Sequence, residues 1–469
     1  MFIPKLSSFA RSCGARKISV FWRWWLLAAI VYLSISILIA WHYGFQFFIS
    51  HQDDSATQVL MAKNLISYGT FSLDGDPSSI VKTPIPPLNP TNFLTPGYSF
   101  WLVFIYIIFK SFTPAIFIGA LIFAFSVPLT YFIAKEVVDN EKIAFWSSIL
   151  FMLEPLSIYH SGILQTEQLF VPIFLAGIYL FIRYLRANNK KFLYSSLFVF
   201  SASVLVRPII FYFLPVLILI IAIHESGMSW KNSIICTLAS LLLAYSVVGL
   251  WLVRNKIVLN TWQISSNQGA VLYAHHYVLL SRYLNIPEQG DVISLNPDPL
   301  SVEYNNALKK VAIGEISKYK SDYLKMYSAY LPLFFVSNGY NKLISRFVGI
   351  ADFDTKFRND LVINFLRGDV LGAFKLLLKT PTPVFGFLIG LAIWIIISLF
   401  ALVGFWNLIF TSKGTRRLII VILGFLLIYF AAVSTPFIVA RYRLPINSFI
   451  FIFAMIGFYF LKDKLRQWI

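Results

Sequence analysis

Two adjacent carboxylates, Asp53 and Asp54, stand just beyond the first long apolar run of the chain, in the stretch 51–98. A carboxylate at the edge of a bilayer can take a proton from a hydroxyl, and a positioned base of that kind contributes about 10²–10⁴-fold to a rate. Behind the pair, Ala56, Val59, Leu60, Ala62, Leu65 and Ile66 fall largely on one side of a helical period, with Gln58, Lys63, Asn64 and Ser67 mostly on the other. That pattern predicts a helix lying along a membrane surface rather than across it. Pro84, Pro86, Pro87, Pro90 and Pro96 follow, and a run so rich in proline is neither regular helix nor central strand. An acidic pair held at a bilayer edge beneath a stiff loop has the makings of a reaction centre for a membrane-borne substrate. The competing structural role of Asp54 is to cap the helix over 55–67.

Other chemistries have less to stand on. His51, His160, His275 and His276 do not show metal-ligand spacing, and His275-His276 reads as a loop pair. Adjacent side chains diverge, which counts against Asp53 and Asp54 sharing a divalent ion, so no cofactor is required. No phosphate-binding glycine loop is present, hence no sign of direct nucleotide use. The net charge of +18 would suggest nucleic acid in a soluble protein. Here it fits cytoplasmic anchoring and contact with anionic lipid or phosphate, with no nucleic-acid partner.

The elements that must position these residues are membrane helices. The chain has 469 residues, 58% hydrophobic and 13% charged, with a mean hydropathy of +0.73. Aromatics at 17%, including 46 Phe, suit lipid-facing helices and interfacial belts. Apolar runs long enough to cross a hydrocarbon core of about 30 Å recur along it. Lys5, Arg11, Arg16, Lys17 and Arg23 precede the first run, which reads as a signal anchor with the N-terminus inside. Spans are expected at about 22–44, 114–134, 143–160, 167–185, 232–252, 384–410, 418–435 and 445–461, with two shorter ones sharing 193–223. Proline disfavours helix in the residue before it, so Arg207-Pro208 marks the break between those two. Segment 97–110 is read as a short interfacial or re-entrant helix, because counting it as a span would put Arg183, Arg186, Lys190 and Lys191 outside. The expectation is an all-α polytopic membrane protein of about ten spans with interfacial helices. A transmembrane module, 1–253, carries a first external loop at 45–112. A small external domain follows over 254–380, most helical at 303–335, and C-terminal spans fill 381–469. Cys13 and Cys236 both fall on or near the predicted cytoplasmic side, so no disulfide framework is expected.

Several local signatures occur in a fixed order along this layout. They are Asp54, Ala62, Asn64, Leu65 and Gly69 in a D-x(7)-A-x-N-L-x(3)-G pattern, the turn Pro96-Gly97-Tyr98, and EPLSIYHSGILQTEQLF with Glu167. The Arg207-Pro208 break, W-x-x-R-N at Trp251 to Asn255 followed by SSNQG, and RYRLP from Arg441 complete the set. Together these resemble the GT-C superfamily of membrane glycosyltransferases, in particular the branch of bacterial aminoarabinose transferases and protein O-mannosyltransferases. The family often carries a second acidic residue directly after its first-loop aspartate; this chain has Ser55 there and Asp53 before, leaving either aspartate to face the substrate.

The resemblance implies transfer of a monosaccharide from a polyprenyl-phosphate carrier, with a glycolipid or lipopolysaccharide, a cell-wall glycan or a protein as acceptor. It implies Asp54 as general base and Glu167 as the group orienting the reactants. Asp53, Lys82, Tyr98, Arg207, Arg254, Asn255, Arg441 and Arg443 become candidates for holding substrate. Lys82 and Arg254 are favoured for the phosphate by family position, and one of Arg441 and Arg443 is expected to face the site. The location implied is the bacterial inner membrane, with the site on the periplasmic face. Two rivals differ in class. An O-antigen polymerase or ligase would lean on Arg and His of the later loop. A flippase or transporter would place ionisable groups deep in its spans.

Overall fold

The computed structural model describes residues 4–44, 53–75, 87–225, 227, 229–288, 301–340, 343, 355–378, 381–437 and 439–468. Among these the regular structure is helical, with no strand. Helix α1 (Pro4–Tyr43) leads to α2 (Asp53–Tyr68), then α3 (Gly97–Phe109). Helices α4 (Pro114–Phe123) and α5 (Ser126–Val138) together make one span, followed by α6 (Glu141–Leu153), α7 (Pro155–Ser161) and α8 (Glu167–Ala187). Then come α9 (Lys190–Val206), a 3-10 turn (Pro208–Phe213), α10 (Leu214–Glu225), α11 (Trp230–Ala244) and α12 (Ser246–Leu259). Short helical turns over 268–284 precede α13 (Val302–Lys318), α14 (Lys320–Val336), α15 (Thr355–Leu366) and α16 (Val370–Leu378). Helices α17 (Pro381–Thr411) and α18 (Gly414–Ser434), a 3-10 turn (Ala440–Ile446) and α19 (Asn447–Trp468) close the chain.

The boundaries follow local chemistry. Asn140 accepts from Lys142 N at 2.9 Å and opens α6. Asn188 takes a left-handed φ of 47° to end α8, and Asn189 then caps α9 by accepting from Lys191 N at 2.9 Å. Pro155 occupies the first turn of α7 with Glu154 as its cap. Arg207 is extended, at φ −145° and ψ 122°, because Pro208 forbids it a helical backbone.

By length and apolar composition the described residues offer seven spanning helices, or eight if α11 and α12, bent by 55°, count as one span. The expected count of about ten is not confirmed by the described residues. The predicted span at 143–160 is divided at Glu154-Pro155 into 13 and 7 residues. Helix α9 has 17 residues, about 26 Å at 1.5 Å per residue against a core of about 30 Å. Helix α3, at 13 residues, is shorter still, and it buries Tyr98, Leu102 and Ile105 on one side while Phe100, Phe104 and Ile107 lie exposed on the other.

Helix α8 sits at the centre, with 72% of its span buried, whereas α17 has 17% buried and turns mostly outward. Helices α17 and α19 pack backbone to backbone. A Cβ on Gly404 would lie 1.9 Å from Phe453 O, and one on Gly457 would lie 2.0 Å from Phe400 O. Small residues of this kind let membrane helices approach closely where lipid provides no hydrophobic drive. Helix α2 departs from its expected surface position. Gln58 and Asn64, placed on the polar face by periodicity, are buried. Gln58 Oε1 accepts from Ser99 Oγ, and Asn64 Nδ2 donates to Ser72 O and Asp74 O at 3.0 Å, so enclosure leaves both satisfied.

The two ends of the bundle differ in chemistry. At one, Arg183 and Arg186 of α8 meet Glu136 at 3.6 and 3.2 Å, and Arg416 Nε donates to Val137 O at 2.8 Å. Glu167, Arg207 and Arg441 lie at the other. Above that end the segment 268–378 builds a second small core of Leu279, Leu280, Met326, Tyr330 and Ile363. It is tied down by Tyr327 Oη, which donates to Ala432 O at 2.6 Å.

Candidate active site

Two arginines distant in the chain converge on one carboxylate. Glu167 opens α8 and is fully buried. Arg207 Nη1, from the break between α9 and the 3-10 turn, and Arg441 Nε, from the turn before α19, both bind Glu167 Oε1. Thr166 Oγ1 donates to the other oxygen, Oε2, at 3.3 Å and itself accepts from Arg441 Nη2 at 3.5 Å. Arg207 also lies over the rings of Tyr442 at 5.0 Å and Phe170 at 5.7 Å. Charge-assisted bonds of this type are the strong ones, and the first turn of a helix favours an anion. Two guanidinium groups against one carboxylate leave an excess positive charge in an enclosed setting, which suits binding an anion.

Around this core a polar shell fixes neighbouring elements. Tyr98 Oη donates to Gln168 Oε1 at 3.2 Å, and Gln168 Nε2 donates to Ser161 O at 2.8 Å and to Ile116 O at 3.3 Å. Helix α3 is thereby joined to the start of α8. Ser55 Oγ donates to Leu164 O, which ties the N-terminal turn of α2 to the loop directly before Glu167. Asp53 and Asp54 begin α2, immediately ahead of that tie. Their side chains lie outside the described residues, as does Lys82.

Arg254 and Asn255 belong to a different cluster. Arg254 Nη1 donates to Thr91 O at 2.9 Å and the guanidinium lies 4.8 Å from the Trp251 ring. Asn255 Nδ2 donates to Gln263 O at 2.9 Å, the same carbonyl that accepts from Asn92 at 3.1 Å. Together they fasten the loop at 91–93 to that at 263–266. Arg254 also lines a cleft of about 630 Å³ with Phe71, Pro96 and Trp251. No hydrogen bond or ion pair among the described residues joins Arg254 or Asn255 to Glu167.

Arg441 and Arg443 part company. Arg441 grips Glu167, while Arg443 is fully buried on the other side of the turn, donating to Asn447 Oδ1 at 3.0 Å and to the carbonyls of Phe334 and Phe335. His275 and His276 lie in a π-helical turn (Leu272–Tyr277) rather than a loop. His276 Nδ1 is 2.8 Å from Tyr323 Oη, and the His275 ring is 3.8 Å from that of Phe437. Among the described residues no group of three or more His, Cys, Asp or Glu could hold a metal ion. From the sequence, Gln168 and Tyr442 had no assigned role, and Ser55 stood out only as occupying the position where the family often has a second acid. Gln168 and Tyr442 adjoin residues with an assigned role, and that adjacency was the available signal.

A family model described as dolichyl-phosphate-mannose-protein mannosyltransferase matches residues 95–251. Two solved structures align over 96% of this chain and 77% of their own. One is ArnT from Cupriavidus metallidurans bound to undecaprenyl phosphate, at 11% identity and a TM-score of 0.34, and the other the same protein in the apo state, at 12% and 0.35. A search of curated proteins gave no match. The segment 95–251, which brings Tyr98, Thr166, Glu167, Gln168 and Arg207 to the site, is similar to the dolichyl-phosphate-mannose-protein mannosyltransferases, in keeping with the membrane glycosyltransferase superfamily that the chain's motifs resemble.

Proposed function

We propose that the protein is a multi-pass membrane glycosyltransferase that moves a monosaccharide from a polyprenyl-phosphate carrier to a hydroxyl acceptor on the external face of the membrane. The observation that carries this reading is the convergence of Arg207 and Arg441 on the buried carboxylate of Glu167, beside the tethered start of α2. In the reaction the acceptor O–H gives its proton to Asp54. The acceptor oxygen bonds to the anomeric carbon of the sugar, and the bond from that carbon to the phosphate oxygen breaks. The carrier phosphate leaves with the electron pair, and the excess positive charge of the arginine pair stabilises it. Glu167, enclosed by both guanidinium groups, orients the reactants by fixing the arginines rather than by moving a proton. The match of 95–251 to a family named for a lipid-phosphate sugar donor supports the donor class. The basic turns at the opposite end of the bundle support the external side, and a bacterial inner membrane is the proposed setting.

The test is transfer from defined polyprenyl-phosphate sugars to glycolipid, glycan and protein acceptors by purified protein. Asp54→Asn should lower turnover by about 10²-fold or more while the protein stays folded. Turnover at the parental rate in a well-folded variant would remove Asp54 as the base.

A further inference from the structure

At the basic end of the bundle, opposite Glu167, helices α1, α5 and α6 form a cleft of about 290 Å³ lined by Trp24, Tyr131, Glu141, Lys142, Phe145 and Trp146. Trp24 and Tyr131 are buried and make its inner side, while Phe145 and Trp146 are nearly half exposed and make its open side. The rings touch in sequence. Trp24 is 5.7 Å from Tyr131 and 5.4 Å from Phe145, and Phe145 stands edge-on to Trp146 at 5.3 Å. Glu141 comes four residues before Phe145 and Lys142 four before Trp146, so each charge lies one turn from an aromatic ring on the same side of α6.

The charges of this turn are balanced. Glu141 accepts from Tyr131 Oη and lies 3.0 Å from Lys135 Nζ, which also meets Asp139 at 2.7 Å. Glu136, the remaining acid, is taken by Arg183 and Arg186. The Glu141 side chain is still 70% exposed, so its oxygens have room for a further donor. Lys142 is exposed and makes no ion pair among the described residues. Lys135 and Lys142 thus cancel Asp139 and Glu141, and a ligand carrying one charge of each sign keeps the balance. A cation is drawn to aromatic faces, a carboxylate beside them adds charge-assisted hydrogen bonds to N–H groups, and a free lysine alongside offers donors to a phosphate. A purely anionic headgroup would set its charge against Glu141, and a quaternary ammonium has no N–H to give that carboxylate. A primary ammonium joined to a phosphate satisfies both residues at once.

We propose that this cleft is a phospholipid site selective for the phosphatidylethanolamine headgroup, with the ammonium on Glu141 among the rings and the phosphate on Lys142. The source is a lipid because the cleft opens where exposed aromatics mark the level of membrane headgroups. Apolar side chains continue from it into the span: Leu27 is one turn along α1 from Trp24, and Leu153 is two turns along α6 from Phe145, both exposed. An acyl chain can follow that path while the headgroup stays in the cleft.

The experiment titrates the full-length protein in detergent with dioleoyl phosphatidylethanolamine, phosphatidylcholine and phosphatidylglycerol, and reads bound lipid by native mass spectrometry. The parent should bind phosphatidylethanolamine about fivefold more tightly than either of the others, the scale of one exposed ion pair. Glu141→Gln should erase the preference over phosphatidylcholine, and Lys142→Gln should weaken phosphatidylethanolamine by about fivefold. Thermal midpoints are taken alongside. Should Glu141→Gln lose stability with its Lys135 contact, Lys142→Gln, which breaks no ion pair, still decides. Equal affinity of the parent for the three lipids would leave only an ordinary aromatic belt and overturn the proposal. So would a preference for phosphatidylglycerol. A phosphatidylethanolamine preference at full strength in both variants would put the lipid elsewhere and overturn it as well.

Discussion

Replacing Glu167 with Gln removes one negative charge from a site where two guanidinium groups share a single carboxylate oxygen. Glu167 is fully buried, and the Arg207 and Arg441 side chains are 10% and 16% exposed. Breaking a buried pair by deleting one partner costs about 3–5 kcal/mol, because the remaining charge is left uncompensated. At about 2.1 cal/mol/K per residue, unfolding a chain of 469 residues carries an entropy of about 1 kcal/mol/K. The expected fall in midpoint for Glu167→Gln is therefore about 3–5 °C. Removing Arg207 as well, in Glu167→Gln/Arg207→Met, leaves only the more exposed Arg441 and should recover a good part of the loss. Thermal unfolding in detergent, followed by intrinsic fluorescence from the 12 tryptophans, reads both numbers. If Glu167→Gln melts with the parent, or the double variant melts lower than either single one, Glu167 is not the charge anchor of this end of the bundle.

Two further outcomes follow from packing and from burial. Gly404→Ala should destabilise the pairing of α17 with α19 by about 1–3 kcal/mol, since its Cβ would meet the Phe453 carbonyl rather than a movable side chain; an unchanged midpoint would show that these backbones do not touch. Burial, with His275 adding to it, pushes His276 down to about 4 from an ordinary 6.5. The unfolded chain therefore takes up a proton first as pH falls, and stability should decline between about pH 6.5 and 4, by at most about 3 kcal/mol. His276→Gln should flatten that decline, and an undiminished acid loss in the variant would assign it to other groups.

Much of the scaffold was legible residue by residue. Long apolar runs predicted the spans at about 22–44, 114–134, 384–410 and 418–435, and the structure has helices of spanning length at 18–43, 114–138, 386–411 and 414–434, because burying a helix backbone in hydrocarbon demands length and low polarity, both visible in a short window. Arg207-Pro208 predicted a break that the backbone obeys, since proline acts on the residue before it. Segment 97–110 was recognisably too short to cross, and its helix has 13 residues. The division at Glu154-Pro155 rests on the same proline chemistry, yet the apolar run on either side of it hid the interruption.

The site required the tertiary structure. Glu167 is bound by residues 40 and 274 positions away, and no periodicity reports a contact over such separations. Arg441 and Arg443 are alike in type and neighbourhood, but the 3-10 turn sends one to Glu167 and the other to the end of α14. Gln58 and Asn64 read as surface residues until their partners at 99, 72 and 74 arrived to enclose them. Local sequence determined which segments are helices, where they break and which end of the bundle is basic, since those depend on backbone sterics and on transfer from water to lipid. Which charges meet was decided by how the helices pack, because an ion pair in a low-dielectric interior forms only where the whole bundle brings its partners within reach.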